Sequence, residues 1–290
     1  MAPMSVARRR GLRRLAVLLL TLALAAGGIY TAAYFVQRSE TLVSERCTAT
    51  AGDRTGELAP DQAANAALIT AAAVRRGLPA RAATIALATA MQESKLRNIG
   101  HGDQAGPDSR GLFQQRPSQG WGTEAQIMDP YYAVNAFYDA LVKIPGYETL
   151  DITDAAQQVQ RSAYPKAYAQ HEEMGRAFAS GLTGQTPAGV QCTLRSPTAG
   201  GNSATVVTDL DQAYGGVDAQ VDGDTLVVDA GGALGWSVAA WAVANAKDLA
   251  VTRVEVAGRT WDRPGGDGWQ AAGVQDGQVR ITVRKDDAGT

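Results

Sequence analysis

The sequence predicts a mainly α-helical domain, preceded by one transmembrane helix and followed by a small α+β domain. An uncharged apolar run follows a basic N-terminus, helical periodicity covers the middle of the chain, and strand patterns dominate the last part. The predicted boundaries are a cytoplasmic basic tail (1–14), a transmembrane anchor (15–37), a stalk (38–57), the helical domain (58–182), a linker (183–204) and the α+β domain (205–290).

The N-terminal segment has the pattern of a membrane anchor. Residues 15–37 carry no charge, and a helix of that length spans roughly 30 Å of hydrocarbon. The basic tail predicts a single-pass protein of the cell membrane, with its N-terminus in the cytoplasm and its body outside. The alternative is a signal peptide that is cleaved near Ala23-Leu24-Ala25.

The charge distribution argues against nucleic acid as a partner. The net charge is −2, and five arginines among the first fourteen residues contribute +5, so the remainder carries −7. A protein that binds nucleic acid needs a basic face to neutralise phosphates, and this acidic body does not predict one.

The two cysteines, Cys47 and Cys192, flank the helical region. For an exported protein this pair predicts a disulfide that closes the domain, and the alternative is two unrelated buried thiols. The two histidines, His101 and His171, do not combine with the cysteines into metal-ligand spacing. The sequence therefore predicts no metal and no cofactor.

Helix signals recur through the central region. One helix begins at Pro60 and ends before Gly77, and an almost wholly apolar helix follows over about 80–92. Further helices are expected over about 130–142, 154–162 and 165–180. Since an all-apolar helix belongs inside a domain, the second helix should be its centre.

The segments after residue 182 differ in character. Residues 183–203 are rich in Gly, Pro, Thr and Ser, which is typical of a linker. Strands are expected over 225–228, 251–256 and 278–283, with a helix over about 236–247. This α+β domain carries no motif that assigns a role, and a protein partner is one expectation for it.

Glu93 is the candidate catalytic residue. It follows the apolar helix, where burial and the negative end of the helix dipole both disfavour a carboxylate. A carboxylic acid that stays protonated near neutral pH is the group that glycosidic bond cleavage requires.

The neighbouring residues resemble a known signature. Gln92-Glu93-Ser94, followed by Ser109-Arg110-Gly111-Leu112-Phe113-Gln114-Gln115, is similar to the motifs of lytic transglycosylases and goose-type lysozymes. In that superfamily a Glu-Ser pair ends a central helix and a Gly-Leu-Met-Gln motif follows. The resemblance covers roughly residues 60–182 and implies a lysozyme-like domain that cleaves the glycan strands of bacterial peptidoglycan. Phe113 stands where the family usually has Met.

The resemblance implies a role for each matched residue. Glu93 would be the acid/base, Ser94 a positioning hydroxyl, and Gly111 and Gln114 the floor of the glycan groove. The family's Ala-Tyr-Asn motif has its counterpart in Ala163-Tyr164-Pro165, so Tyr164 would supply the phenol near the acid. Because Pro165 replaces the Asn, another amide such as Gln160 would make its contact.

Sugar-binding chemistry adds further candidates near these motifs. Aromatic faces and planar amides bind sugars, and residues of both types lie in or after the second motif. The candidates are Phe113, Gln115, Trp121, Tyr131, Tyr132 and Asn135.

The number of acids separates two mechanisms. A hydrolase needs a second carboxylate, for which the loop offers Asp103 and Asp108, whereas a transglycosylase uses one Glu and an internal nucleophile. The single-Glu mechanism is favoured, because both aspartates lie among turn-forming residues. The alternative from another class is a non-catalytic scaffold that binds the wall or a secretion apparatus.

Overall fold

The computed structural model describes residues 17–31, 43–104, 106–162, 164, 166–263, 266–273 and 275–285. They belong to two compact units, Met1–Val43 and Ser44–Thr290. The first contains a helix over residues 17–31 with exposed side chains.

The predicted membrane anchor is corrected by the structure. Among the residues that the structure describes, no helix is both long and apolar enough to span a membrane. The predictions of a transmembrane helix and of a single-pass location in the cell membrane are therefore wrong. The basic tail, the rest of 15–37 and residues 38–42 of the stalk lie outside the described residues.

The second unit begins with a hairpin. Strands β1 (Arg46–Ala51) and β2 (Arg54–Leu58) are joined by a two-residue turn at Gly52, whose φ of +65° suits glycine. Strand β3 (Val190–Thr193) pairs with the other edge of β1. The predicted stalk and linker thus contribute the three strands of a sheet with the order β2-β1-β3.

The disulfide prediction is confirmed. Cys47 and Cys192 lie directly opposite each other on β1 and β3, are bonded, and have their Cα atoms 4.0 Å apart. The bridge joins the two ends of the helical region, 145 residues apart in sequence.

The helical region is built around one buried helix. Helix α1 (Pro60–Arg75) begins at a proline, and α2 (Ala80–Ser94) presents apolar residues on all sides. The remaining helices are α3 (Glu124–Met128), α4 (Pro130–Leu141), α5 (Ile152–Gln160) and α6 (Glu172–Leu182), with short 3₁₀ turns at Pro117–Gln119 and Ala169–His171. Helices α1, α4, α5 and α6 all pack on α2, which places it at the centre as the sequence predicts.

The C-terminal region is a six-stranded antiparallel sheet with two helices. Its strands are β4 (Ala219–Asp222), β5 (Thr225–Asp229), β6 (Val251–Val256), β7 (Arg259–Asp262), β8 (Trp269–Ala271) and β9 (Gln278–Val283). The sheet order is β4-β5-β9-β6-β7-β8. Helix α7 (Ser203–Tyr214) packs on α1, and the buried helix α8 (Gly232–Ala244) lies against the sheet, α1 and α6.

The fold class predicted from sequence is also wrong in separating a helical domain from a small α+β domain. The helical region shares one compact unit with the second sheet and carries a sheet of its own. Two indoles join the sheets, since Trp261 Nε1 donates to the Cys192 carbonyl at 3.2 Å and Trp269 Nε1 donates to the Val190 carbonyl at 2.7 Å. These carbonyls point away from β1, so the indoles cover the outer edge of β3.

Candidate active site

Glu93 lies in the last turn of α2. The helix ends because Lys95 adopts a left-handed conformation (φ +55°), and the amides of Lys95 and Leu96 bond back to the carbonyls of Met91 and Ala90. The helix is thus closed by backbone amides, and the Glu93 side chain is not needed to close it.

The Glu93 carboxyl group has a defined environment. The side chain is half-buried, and the Tyr168 hydroxyl donates a hydrogen bond to its Oε1 atom at 2.8 Å. Burial raises the pKa of Glu93, contacts with Tyr168 and Gln160 lower it, and the charge of Asp103 raises it further. The net effect is a pKa above the ordinary value of a glutamate, because burial dominates.

The loop that carries the second motif is tied to the ends of two helices. Ser94 Oγ donates to the Leu112 carbonyl at 2.7 Å, and Gln160 Nε2 donates to the Phe113 carbonyl at 2.8 Å. The Gly111 amide also donates to the Ile99 carbonyl at 2.8 Å. The motif loop therefore spans from the end of α2 to the end of α5, beside Glu93.

These elements enclose a cleft of about 540 Å³. Of the residues predicted for the site, its lining includes Glu93, Asp103, Gln114, Gln160 and Tyr164. Tyr164 is 76% exposed at the rim. Its motif neighbours Ala163 and Pro165 lie outside the described residues.

Three predicted substrate contacts are buried in the protein instead. Ser94 is 7% exposed and binds the motif loop, while Phe113 is fully buried and stacks on Phe137 with ring centroids 4.4 Å apart. Gln115 is 1% exposed and donates to the Ala133 carbonyl at 3.1 Å. These three side chains hold the motif loop in place and do not line the cleft.

Gly111 lies against the backbone of α3 and does not form the predicted floor of the glycan groove. Its φ is +77°, and a Cβ atom there would lie 2.7 Å from the Ile127 carbonyl oxygen. The close approach is therefore to the backbone of α3, and Gly111 is not part of the cleft lining.

Tyr131 and Asn135 face another part of the molecule. Asn135 accepts from Arg76 Nη1 at 3.2 Å and from Arg75 Nη2 at 3.4 Å. Tyr131 is near Asp209 of α7, whose charge adds to burial in raising the pKa of the phenol. Both residues belong to the contact between α4, the end of α1 and the C-terminal region, which removes them from the predicted groove.

The two candidate aspartates are separated by the structure. Asp103 lines the cleft with Glu93 and accepts from the Gly106 amide at 2.8 Å. Asp108 is bound by the Ser118 amide at 3.1 Å and Arg116 Nε at 2.8 Å, and contacts with Ser118 and Arg116 lower its pKa to about 2. Asp108 therefore shapes the loop and does not line the cleft.

A second cavity of about 950 Å³ adjoins the cleft. The two share Gln119, Gln160 and Arg161 in their linings, and Trp121 lies in the second. Tyr132 does not line either one and instead donates from its hydroxyl to the Trp121 carbonyl at 3.1 Å.

Tyr168 is the site residue that the sequence analysis missed. The phenol beside the acid belongs to Tyr168 and not to Tyr164, which the sequence predicts for that role. The signal was present, because Ala-Tyr occurs twice in this segment, at 163–164 and at 167–168. Only the second tyrosine is fully buried, just before a 3₁₀ turn that packs on α2.

No cluster of three or more His, Cys, Asp or Glu side chains suited to a metal ion occurs within the described ranges. Comparison of the sequence with models of known protein families and with curated proteins finds no match.

Proposed function

We propose that the protein cleaves the glycan strands of bacterial peptidoglycan at the MurNAc-GlcNAc β-1,4 bond, as a lytic transglycosylase with Glu93 as its acid and base. The supporting observation is a half-buried glutamate with a raised pKa that faces a cleft of about 540 Å³. That volume is within the range of ordinary ligand sites, ~300–1,000 Å³.

In the first step protonated Glu93 donates its proton to the glycosidic oxygen while the bond to the anomeric carbon breaks. Because the Tyr168 hydroxyl donates to Oε1, that oxygen acts as the carbonyl acceptor and Oε2 carries the proton. Tyr168 therefore fixes the rotation of the carboxyl group and determines which oxygen faces the substrate.

In the second step the Glu93 carboxylate accepts the proton of the muramyl 6-hydroxyl, whose oxygen attacks the anomeric carbon. The products are a free 4-hydroxyl on one side and a 1,6-anhydromuramyl end on the other, and Glu93 is protonated again. Since the nucleophile belongs to the substrate, proximity replaces a second catalytic carboxylate.

The cleft also offers groups that suit the sugar. Gln114 and Gln160 are planar amides that can bind acetamido and hydroxyl groups, and Tyr164 provides an exposed aromatic face at the rim. Gln160 is anchored by its bond to the Phe113 carbonyl, so its orientation is set before substrate binds.

A muramidase-type hydrolase is the second candidate, and the position of Asp103 favours it. Asp103 lies in the same cleft lining as Glu93, and its charge reaches the Glu93 carboxyl group. In that mechanism Asp103 would act as nucleophile or activate water.

The test is digestion of purified peptidoglycan by the full chain and by Glu93→Gln. The parent should release fragments with 1,6-anhydromuramyl ends, and the variant should lose roughly 10²–10⁴-fold in rate. Cleavage by Glu93→Gln at the parent's rate contradicts the proposal, and wall binding without cleavage by the parent favours the scaffold.

The two aspartates then discriminate between the mechanisms. For a transglycosylase, Asp103→Asn should retain most of the activity, and Asp108→Asn is the matched control in the same loop. Reducing ends together with a crippled Asp103→Asn would identify a hydrolase.

A further inference from the structure

The cavity that adjoins the cleft differs from it in charge. Its lining includes Lys143 and Arg161 and no acidic residue, whereas the cleft lining combines the acids Glu93 and Asp103 with Arg116 and the shared Arg161. Within the described part of the chain, no ion pair involves Lys143 or Arg161. A concave surface with two such cations suits an anionic ligand.

The same cavity has an ordered apolar side. Trp121 is partly buried against the core, and its carbonyl is held by the Tyr132 hydroxyl at 3.1 Å. Ile144 and Pro145 complete this side. The cavity thus combines a fixed aromatic face with positive charge, which suits a ligand that has both apolar groups and carboxylates.

The cavity is continuous with the cleft. Gln119, Gln160 and Arg161 line both, and of these three Gln160 contacts Glu93. A substituent on a sugar bound at Glu93 can therefore pass Gln160 and enter the cavity directly.

We propose that the cavity formed by Trp121, Lys143 and Arg161 binds the acidic peptide stem that muramyl residues carry. The inference rests on the proposed function, since it assigns the substrate's side branch to a site beside Glu93. The stem supplies carboxylates for the two cations and aliphatic side chains for the tryptophan face. The protein would then select glycan strands that still carry their stems.

The test measures binding apart from cleavage. The full chain with Glu93→Gln, which prevents turnover, is titrated with three soluble glycan fragments: with intact stems, with stem carboxylates converted to carboxamides, and with stems removed. Intact stems should lower the Kd roughly three- to tenfold relative to the other two, as expected for solvated ion pairs. The gain should shrink as salt rises.

The variant pair is Lys143→Glu and Lys285→Glu in the Glu93→Gln protein. Both residues are exposed, and only Lys143 lines the cavity. Lys143→Glu should remove the preference for intact stems, whereas Lys285→Glu should retain it.

The proposal is overturned if the three fragments bind equally or not at all, if Lys143→Glu keeps the preference, or if the preference survives amidation. A different result would reject the proposed function and keep the peptide site. A stem-dependent Kd in a protein whose parent form cleaves no glycan would leave the peptide site standing and reject the enzyme.

Discussion

Two buried helices, α2 and α8, occupy central positions in their regions and end in different ways. At the end of α8, Asn245 Nδ2 donates to the Trp241 carbonyl, and the buried Arg263 guanidinium donates to the Ala246 carbonyl at 2.6 Å. At the end of α2, backbone amides and nearby side-chain donors bind the terminal carbonyls, and Glu93 faces a cleft. Asn245 and Arg263 are thus used to close α8, whereas the Glu93 side chain is not used to close α2 and lines a cleft.

The largest effect on stability is expected at the end of α8. Arg263→Met removes the guanidinium that donates to the carbonyls of Ala246 and Arg195, the latter at 2.5 Å from Nε. The Arg195 carbonyl loses this donor, whereas the Ala246 carbonyl keeps the Val251 amide. We expect the free energy of unfolding to fall by about 2–4 kcal/mol, measured by urea denaturation. Rates per folded molecule should stay at the parent's level, and unchanged stability would show that Arg263 does not hold this helix end.

An intermediate effect is expected from the tyrosine that contacts Glu93. Tyr168→Phe keeps the packing and removes the donor to Oε1, so the rate should fall by roughly tenfold. Because that hydrogen bond lowers the pKa of Glu93, its loss should also move the basic limb of the pH–rate profile to higher pH.

The matched control is Tyr138→Phe. Tyr138 is also fully buried, and its hydroxyl donates to the Ile69 carbonyl at 2.9 Å. The Tyr138→Phe variant should lose about 1 kcal/mol in its free energy of unfolding, with no shift in the pH–rate profile. If both variants behave alike, the role of Tyr168 is packing alone.

The smallest effect is the pH dependence of stability at Glu93. Its pKa is raised on folding, so the folded state holds the proton more tightly. The glutamate therefore destabilises the fold increasingly as pH rises from its ordinary pKa to the raised value, and fully above that value. Glu93→Gln should therefore match the parent's Tm below about pH 4 and exceed it by a few degrees at pH 7–8. The exposed Glu148→Gln serves as the control, and a Tm gain that is independent of pH contradicts the assignment.

The sequence predicts α1 and α2 well because their signals are local, whereas it does not predict α7, and α6 begins at Glu172 and not near residue 165. Pro60 and Gly77 bracket α1, and the apolar run of α2 reaches its end within two residues of the predicted position. The strands 251–256 and 278–283 are also predicted with their observed bounds. The hairpin at 46–58 is missed, because its alternating Thr and Ala residues are small and their burial depends on packing against α6, which is distant in sequence.

The site is predicted less completely, because a motif identifies residues that are adjacent in sequence and does not show which side chains lie together in space. Gln114 lines the cleft while Phe113 and Gln115 on either side of it face the core. Gln114 itself adopts a left-handed conformation (φ +48°), which no residue preference indicates. Tyr168 was missed for the same reason, since its place beside Glu93 depends on how the 3₁₀ turn packs on α2.

The hydrogen bonds from the indoles of Trp261 and Trp269 indicate where the chain can be shortened without exposing a strand edge. They are the donors to two carbonyls on an edge strand that is otherwise open, and a fragment that ends before β4 would leave that edge bare. Bare strand edges recruit other strands, so such a fragment would tend to self-associate. The second sheet thus acts as a cover for the first, and the smallest fragment suited to independent study is the whole unit from Ser44 onward.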